Sequence, residues 1–450
     1  EDALVWWVHN DPAGEPLNGV GGDGRSNDPF DILGDGGSDA TPDDPEDASG
    51  DGDVIFIFAG DGTSSGHNLG IELKSGQQLL GHRSATLDLA RVTIQTPGAA
   101  GRPNIGNASG AGVTVAANAG NGSRQGISVQ GLNVVASGIA INAVAANGQG
   151  LDIALSDVVM ASVTDTALVV DGTGSPNAAL ITQLDGVETS SASSGGMVFE
   201  NVVFDADPAT AGLQPVTAGP IVVGDPLTPS NVTGQGLRLH GVRGSLSVAD
   251  LTVGNDGGTG LWIRDADGKA GTFAFTTLGG RLVTTGGAAV DIDPVTLNVA
   301  LSEISSTGPP GSGVLLDTVA GSLMVTGTTT ISGSGGAALR VANSPGASLD
   351  FGQTTVDGPS AAGIDLATNN AGLLATFDTL DVTTSAGFGL LANGSGTVNI
   401  NSTSAVISAV CRARTSGLVT TRSRSSIPSL TMKRALSRVR RLPSATRGRR

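Results

Sequence analysis

The sequence contains no tyrosine and few other aromatic residues, which sets it apart from ordinary globular enzymes. Aromatic residues make up 3% of its 450 residues, whereas a globular enzyme of this length carries more aromatic bulk. There is one cysteine, Cys411, so an intramolecular disulfide framework is excluded. No segment approaches the roughly 20 consecutive apolar residues of a membrane-spanning helix, and we expect no membrane span.

Charged residues are also scarce, and they are unevenly distributed along the chain. They make up 14% of the sequence, and the formal net charge is −17. Residues 411–450 contain eleven Arg, one Lys and no acidic residue, while the other 12 basic and 41 acidic residues give residues 1–410 a net charge of −29. Because so acidic a body repels phosphate backbones, we expect no nucleic-acid partner for residues 1–410.

Glycine and small aliphatic residues are abundant, and they recur in a four-residue motif. The motif has Gly or Ala, an apolar residue, any residue and a second apolar residue. Its copies begin at Gly236, Gly260, Ala289, Gly313, Ala338, Gly363 and Gly389, with steps of 24, 29, 24, 25, 25 and 26 residues. A fixed period of this size is typical of stacked repeats, in which each unit buries its apolar face against its neighbours.

The pattern inside each repeat predicts an all-β fold. Two more short apolar segments follow the motif in most units: one begins at Phe273, Leu297 and Leu323 in successive units, and the other includes Ile304 and Val406. Three short strands in about 25 residues predict a parallel β-helix with coils about 4.8 Å apart. The Pro-rich stretch 205–232 breaks the period, and we expect it to be a surface loop.

Three regions follow from where the period holds. Residues 1–105 do not follow it, and their apolar segments Val5–Val8 and 54–58 predict an atypical N-terminal cap together with the first coils. Residues 106–410 form the repeat array. In residues 411–450 the acidic residues are absent and the period ends, which indicates either a disordered basic tail or sequence replaced by a frameshift.

The N-terminal region and the repeat array together resemble a known group of proteins. The segments Val5–Val8, 22–30, 52–60, 70–73 and 79–81 are similar to the N-terminal cap of right-handed parallel β-helix proteins of the pectin-lyase-like superfamily. The array is similar to that of bacterial surface and autotransporter-like proteins. The resemblance covers residues 1–410 and implies a right-handed β-helix outside the cell, but this fold serves lyases, hydrolases, adhesins and stalks alike.

The outward positions of the motif strand form two candidate columns. If the motif strands form one sheet, the third motif position faces outward and stacks from coil to coil as Arg238, Trp262, Asp291, Leu315, Arg340, Asp365 and Leu391. The position two residues later reads His240, Arg264, Asp293, Asp317, Ala342, Ala367 and Asn393. We expect the two columns to lie side by side on one exposed face.

One hypothesis for these columns is a shallow sugar-binding face. It assigns ligand contacts to Trp262, Arg264 and Arg238, and candidate catalytic roles to Asp291, Asp293 and Asp317. Neighbouring coils would place Asp293 and Asp317 roughly 5 Å apart, which suits a retaining glycosidase or a calcium site. The alternative is a solvated face with cross-strand ion pairs such as Arg340 with Asp365.

A second candidate site is the acidic stretch before the aromatic strand at 54–58. Asp43, Asp44, Glu46 and Asp47 would supply carboxylate oxygens for Ca²⁺, although their spacing is not that of an EF-hand. The alternative is a solubilising loop without a metal ion. No other cofactor is expected.

The sequence therefore favours a non-catalytic protein, a structural stalk or adhesin that is secreted or displayed on a bacterial cell surface and presents an acidic, elongated face. The alternative is a pectin-lyase-like carbohydrate-active enzyme, either a polysaccharide lyase or a glycoside hydrolase, or a polysaccharide-binding module. The partner expected of an adhesin, an enzyme or a binding module is a polysaccharide or a host or cell-surface glycan.

Overall fold

Short strands recur at the period of the motif and stack in parallel into a β-solenoid of about 12 turns. The structure is a computed structural model that describes residues 3–10, 22–34, 44–82, 87–89, 92–94, 101–135, 137–173, 179–264, 273–368, 370–384, 386–392, 396–401, 406–408, 414–415 and 419–420. This architecture confirms the all-β, parallel-coil fold predicted from the sequence.

Each copy of the motif forms a strand of one continuous parallel sheet, which we call face 1. Its strands are Ile71–Glu72, Ala111–Ala117, Ile139–Ala145, Thr166–Asp171, Gly195–Glu200, Thr233–His240, Leu261–Arg264, Val290–Asp293, Val314–Asp317, Leu339–Ala342, Ile364–Thr368, Leu390–Ala392 and Arg414–Thr415. Each strand pairs in parallel with the strand of the next coil.

The other two sides of the coil are built from strands that often turn the corner between them. For example, Val295–Thr307 pairs first with Phe273–Thr277 and then with Gly280–Thr285. The remaining parallel strands are Val5–Val8, Val54–Ile57, Gln78–Gly81, Asn104–Ile105, Arg124–Gln130, Asn133–Val135, Leu151–Ala161, Ala179–Thr189, Val202–Phe204, Val216–Val223, Arg243–Gly257, Val319–Ser332, Ser348–Asp350, Gln353–Asp357, Leu373–Phe377, Thr379–Thr383, Gly396–Ile400, Val406–Ser408 and Val419–Thr420.

A few described segments do not belong to the solenoid strands. Leu87–Leu89 and Val92–Ile94 form a separate antiparallel pair. A short α-helix spans Pro45–Ala48, and a 3₁₀ turn spans Pro229–Asn231.

The register of face 1 aligns the outward column that the motif predicts. Arg238 pairs with Trp262, which pairs with Asp291 in the next coil. The 29-residue step before Ala289 does not disturb this register. The column continues through Leu315, Arg340, Asp365 and Leu391, and in the other direction through Val198, Val169, Asn142, Thr114 and Glu72.

The inside of the solenoid is a ladder of like residues. The second and fourth motif positions face inward, and Leu261, Val290 and Val314 are buried above one another. Elsewhere in the core Phe351 stacks on Phe377, with ring centroids 5.5 Å apart and planes 19° apart. Because the coil repeats, apolar residues one period apart in the sequence become direct neighbours in a single core.

The first motif position is small because it lies where two sides of the coil meet. A Cβ atom placed on Gly313 would lie 2.5 Å from Cγ2 of Ile331 and 3.1 Å from Oγ of Ser306. The alanines at this position, Ala289 and Ala338, are buried. Packing against the neighbouring side therefore selects Gly or Ala here.

On the other two sides of the coil the alignment expected from spacing is wrong by a small offset. Phe275, two residues after Phe273, pairs with Leu297, and Leu323 pairs with Val299. An offset of two residues keeps each side chain on the same side of its strand, so the core is preserved. In the last unit Val406 is exposed, and the residue after it pairs with Val382.

The stretch 205–232 is only partly the loop that its prolines predict. Its middle, Val216–Val223, is a strand paired with Ala179–Thr189 on one side and with Arg243–Gly257 on the other. The strand keeps apolar residues on its buried side, while Pro220 lies on its exposed side. Because the prolines of the stretch favour a loop, the alternation does not by itself predict a strand.

The N-terminal edge of the solenoid is covered by its own chain. Val5–Val8 pairs with Val54–Ile57 on one side. On its other side the N–H of Phe30 donates to the carbonyl of Trp7 at 2.8 Å, and the ring of Phe30 stacks on Trp6. This arrangement protects an edge strand that would otherwise be open to pairing with another chain.

Two short strands extend the solenoid register past residue 410. Arg414–Thr415 pairs with residues 391–392, and Val419–Thr420 pairs with residues 398–399. The rest of residues 411–450, for which the sequence suggests a disordered tail or a frameshift, lies outside the described residues.

Candidate functional site

Trp262 lies in the outward column of face 1, in contact with side chains of its own and the preceding coil. The Cζ atom of Arg238 lies 4.7 Å from the centroid of the indole ring, and that of Arg264 lies 5.8 Å away. The ring of His240 lies 5.5 Å from the same indole, centroid to centroid. The side chain assigned to sugar stacking is thus already in contact with two guanidinium groups and an imidazole.

Carboxylates hold both of these arginines. Nη2 of Arg238 lies 2.6 Å from Oε1 of Glu200, and Nη2 of Arg264 donates to both carboxylate oxygens of Asp291 at 2.8 and 2.9 Å. These pairs join successive coils, because the residues stand on neighbouring strands of face 1. We call Glu200, Arg238, His240, Trp262, Arg264 and Asp291 the Trp262 ladder.

Asp293 and Asp317 end consecutive strands beside the Trp262 ladder. Burial raises the pKa of Asp293, the charge of Asp317 adds to the rise, and Arg264 opposes it. Asp317 is itself held, since its Oδ1 accepts from Nδ2 of Asn343 at 2.8 Å and from the hydroxyl of Thr318 at 3.0 Å. The two carboxylates are therefore close enough for the charge of Asp317 to act on Asp293.

The second outward column is not continuous in the way that the sequence suggests. A bulge shifts the register after Arg340, so that Ala342 pairs with Thr368 and not with Ala367. The next member assigned to this column, Asn393, lies outside the described residues. The predicted pair Arg340 and Asp365 does stand in direct register.

The acidic stretch forms a short helix instead of an open loop. Asp44 caps this helix, since its Oδ1 accepts from the N–H of Asp47 at 3.0 Å. Oε1 of Glu46 accepts from the N–H of Glu72 at 2.9 Å and so attaches the helix to face 1. Asp43 lies outside the described residues. Two of the four assigned calcium ligands therefore have structural hydrogen bonds to backbone.

Beside this helix a groove of about 460 Å³ opens at the N-terminal end of face 1. It is lined by Glu46, Asp47, Leu69, Gly70, Ile71, Glu72, Lys74, Asn107, Ala111, Thr114, Asn121 and Arg124. Glu72 and Thr114 are neighbours in the same outward column that leads to Trp262. We call this cavity the N-terminal groove.

Hydrogen bonds fix the polar side chains of the N-terminal groove. Oε1 of Glu72 accepts from Nδ2 of Asn121 at 2.7 Å and lies 3.8 Å from Nη2 of Arg124. Nζ of Lys74 donates to the carbonyls of Glu46 and Ser49, at 2.7 and 2.6 Å. Burial raises the pKa of the Glu46 carboxyl, and the hydrogen bond from the Glu72 N–H partly opposes that rise.

Sequence reasoning missed Glu72 and Arg124 as site residues, although a signal for Glu72 was present. The segment 70–73 has the same Gly, apolar, any, apolar pattern as the later motif copies, and Glu72 occupies its outward third position. Extending the column to this early copy would have found it. No comparable signal marks Arg124, because its side chain reaches the groove from a different side of the coil.

Among the described residues, no group of three or more His, Cys, Asp or Glu side chains is arranged to hold a metal ion. Within the same part of the chain, no helix is long and apolar enough to cross a membrane. Comparisons with family models, curated proteins and solved structures find no match.

Proposed function

We propose that the chain is a non-catalytic repeat protein of the bacterial cell exterior, which acts as a rigid stalk or adhesin. The continuous parallel pairing of face 1 supports a rigid body, since each of its strands is hydrogen-bonded to the strand of the next coil. About 12 turns at about 4.8 Å per turn correspond to a rod of roughly 58 Å. The location outside the cell rests on the resemblance of residues 1–410 to surface β-helix proteins.

The non-catalytic part of this proposal rests on the ion pairs and ring contacts that the side chains of the Trp262 ladder make with one another. A nucleophile or general base needs an available lone pair aimed at the substrate. Asp291 accepts from Arg264 with both oxygens, and its side chain is only 16% exposed. Arg238, Arg264 and Asp291, three of the side chains assigned to a sugar site, instead form ion pairs between neighbouring coils.

Small-angle X-ray scattering of the purified chain, combined with a glycan array, tests this proposal. We expect a scattering profile of a single stiff rod and, for an adhesin, retention of a glycan without release of new reducing ends. A profile of jointed or globular particles would contradict the stalk. Cleavage of a retained glycan would contradict the non-catalytic role.

A carbohydrate-active enzyme is the second candidate function, and the pair Asp293 and Asp317 favours it. One carboxyl whose pKa is raised beside a second carboxylate is the arrangement that glycosidases use for an acid and its partner. Turnover of a polysaccharide that is lost in both Asp293→Ala and Asp317→Ala would favour this function over the stalk.

A further inference from the structure

The N-terminal groove combines hydrogen-bond acceptors and donors in one small space. Its volume of about 460 Å³ lies within the range of about 300–1,000 Å³ that is common for small-molecule sites. The carboxylates of Glu46 and Glu72 accept hydrogen bonds, and the guanidinium of Arg124 donates them. Leu69, with 47% of its surface exposed, adds an apolar patch to the lining.

We propose that the N-terminal groove binds a neutral pyranose sugar. In this site the carboxylates of Glu46 and Glu72 accept hydrogen bonds from sugar hydroxyls, and Arg124 donates to a hydroxyl or ring oxygen. The apolar C–H face of the sugar packs on Leu69. This assignment is independent of the stalk or enzyme role of the rest of the solenoid.

The chemistry of the lining favours a sugar over a simple ion. The groove is lined by three acidic side chains, those of Glu46, Asp47 and Glu72, and by two basic ones, Lys74 and Arg124, so its net charge is negative and disfavours an anion such as phosphate. The described residues contain no group of three or more side chains arranged to hold a metal ion. A sugar hydroxyl both donates and accepts, so it satisfies a lining that contains both kinds of partner.

The groove is organised before a ligand arrives. Asn121 and Arg124 orient the carboxylate of Glu72 from one side, and the N–H of Glu72 orients Glu46. Lys74 fixes the helix Pro45–Ala48 through two carbonyls at its C-terminal part. A preorganised lining lowers the entropy lost on binding, which matters for ligands that bind weakly.

The side chain of Arg124 is held by the wall of the groove. It is only 11% exposed, its Nη1 donates to the carbonyl of Asn121 at 2.8 Å, and its Nη2 lies 3.8 Å from Oε1 of Glu72. The guanidinium is therefore positioned beside Glu72 before a ligand binds.

Saturation-transfer NMR and calorimetry test the proposal with defined probes. The probes are glucose, galactose, mannose and N-acetylglucosamine, with CaCl₂ and sodium phosphate as ionic comparators. We expect at least one of the four sugars to bind with one site per chain. Glu72→Gln and Arg124→Gln should each weaken that sugar about tenfold, as the loss of a charged hydrogen bond implies. The matched controls Glu303→Gln and Arg281→Gln, which lie on another side of the coil, should leave it unchanged.

A variant at the apolar patch keeps the test decisive if removal of a charge from Glu72 or Arg124 disturbs the fold. Leu69→Asp removes the apolar patch without deleting a side-chain hydrogen bond of the groove, and it should weaken sugar binding about tenfold while the unfolding temperature stays at the wild-type value. Failure of all four sugars to bind the wild-type chain would overturn the proposal. So would sugar binding that is unchanged in Leu69→Asp, or saturation of the groove by Ca²⁺ or phosphate alone with loss of that binding in Glu72→Gln.

Discussion

Nη2 of Arg264 donates to both carboxylate oxygens of Asp291, at 2.8 and 2.9 Å, from one coil of the solenoid to the next. The same arginine faces the ring of Trp262. The side chain of Arg264 thus donates hydrogen bonds to the carboxylate of Asp291 and also faces the ring of Trp262, which the sequence alone suggests as a contact for a sugar. Three residues of the candidate site therefore stabilise the stack of coils.

Arg264→Gln should loosen the Trp262 ladder without unfolding the protein. We expect a loss of about 1 kcal/mol in the free energy of unfolding, since a partly exposed ion pair and an exposed cation–π contact each contribute no more than about that amount. The fluorescence emission of Trp262 is obtained by subtracting the spectrum of the corresponding protein that also carries Trp262→Phe. This emission should shift to longer wavelength as the ring becomes more exposed to water. Arg340→Gln removes a charge from the same face away from Trp262 and should leave this emission unchanged. An unshifted spectrum in Arg264→Gln would show that the guanidinium does not cover the ring.

Gly313→Ala should destabilise the solenoid, because the added methyl meets Cγ2 of Ile331 and Oγ of Ser306 at the corner of the coil. Overpacking of this kind costs about 1–3 kcal/mol. Gly311→Ala is the matched control, since a Cβ atom there has no atom within 4 Å. Urea unfolding of both variants measures the difference, and equal midpoints would refute the close contact at Gly313 as the reason for glycine in this copy of the motif.

Asn370→Leu should be among the more damaging substitutions of the array. The buried amide of Asn370 donates to the carbonyls of Val341 and Leu366, at 2.8 and 3.0 Å, and accepts from the N–H of Ser344 at 2.9 Å. Removing it deletes three hydrogen bonds to backbone groups, and we expect a loss of about 3 kcal/mol. Thermal unfolding measures the loss, with the exposed Asn401→Leu as control. A loss no larger than that of the control would argue against the buried amide as a support of this corner.

Stability should fall in mild acid because of His67. This side chain is 1% exposed, and burial lowers its pKa from 6.5 to about 4. The unfolded chain therefore takes up a proton at a higher pH than the folded chain does. The contribution is complete above about pH 6.5, and about 3 kcal/mol of it is lost as the pH falls to about 4.

Unfolding midpoints measured between pH 7.5 and pH 4 check this prediction. In His67→Gln the unfolding midpoint should change less between pH 6.5 and pH 4 than in the wild type. The control His240→Gln, on the exposed side of face 1, should keep the pH dependence of the wild type. A slope that persists in His67→Gln would assign the acid sensitivity to another group.

The first outward column of face 1, from Arg238 to Leu391, could be predicted residue for residue, but the other two sides of the coil could not. The motif fixes face 1 because its first position must be small and its second and fourth positions must be apolar. The segments after it vary by two residues around the corners, and an alternating pattern does not reveal such an offset. This is why Phe275, and not Phe273, meets Leu297.

The contacts of the candidate site residues could likewise be predicted only in part. The period predicts that Asp293 and Asp317 meet, since both stand at the ends of regular motif strands. It does not predict that Glu46 accepts from Glu72, because that contact depends on the short helix Pro45–Ala48 outside the repeat. Contacts between copies of a repeat can be predicted from the sequence, whereas contacts with an irregular segment cannot.

The most direct measurement of the central claim is the release of new sugar ends from a panel of polysaccharides, with and without Ca²⁺. The wild-type chain is compared with the double variant Asp293→Ala/Asp317→Ala. For a non-catalytic stalk or adhesin we predict the same background release from both proteins, while both retain the scattering profile of a stiff rod. Release by the wild type that the folded double variant loses would contradict the claim and would identify the chain as an enzyme.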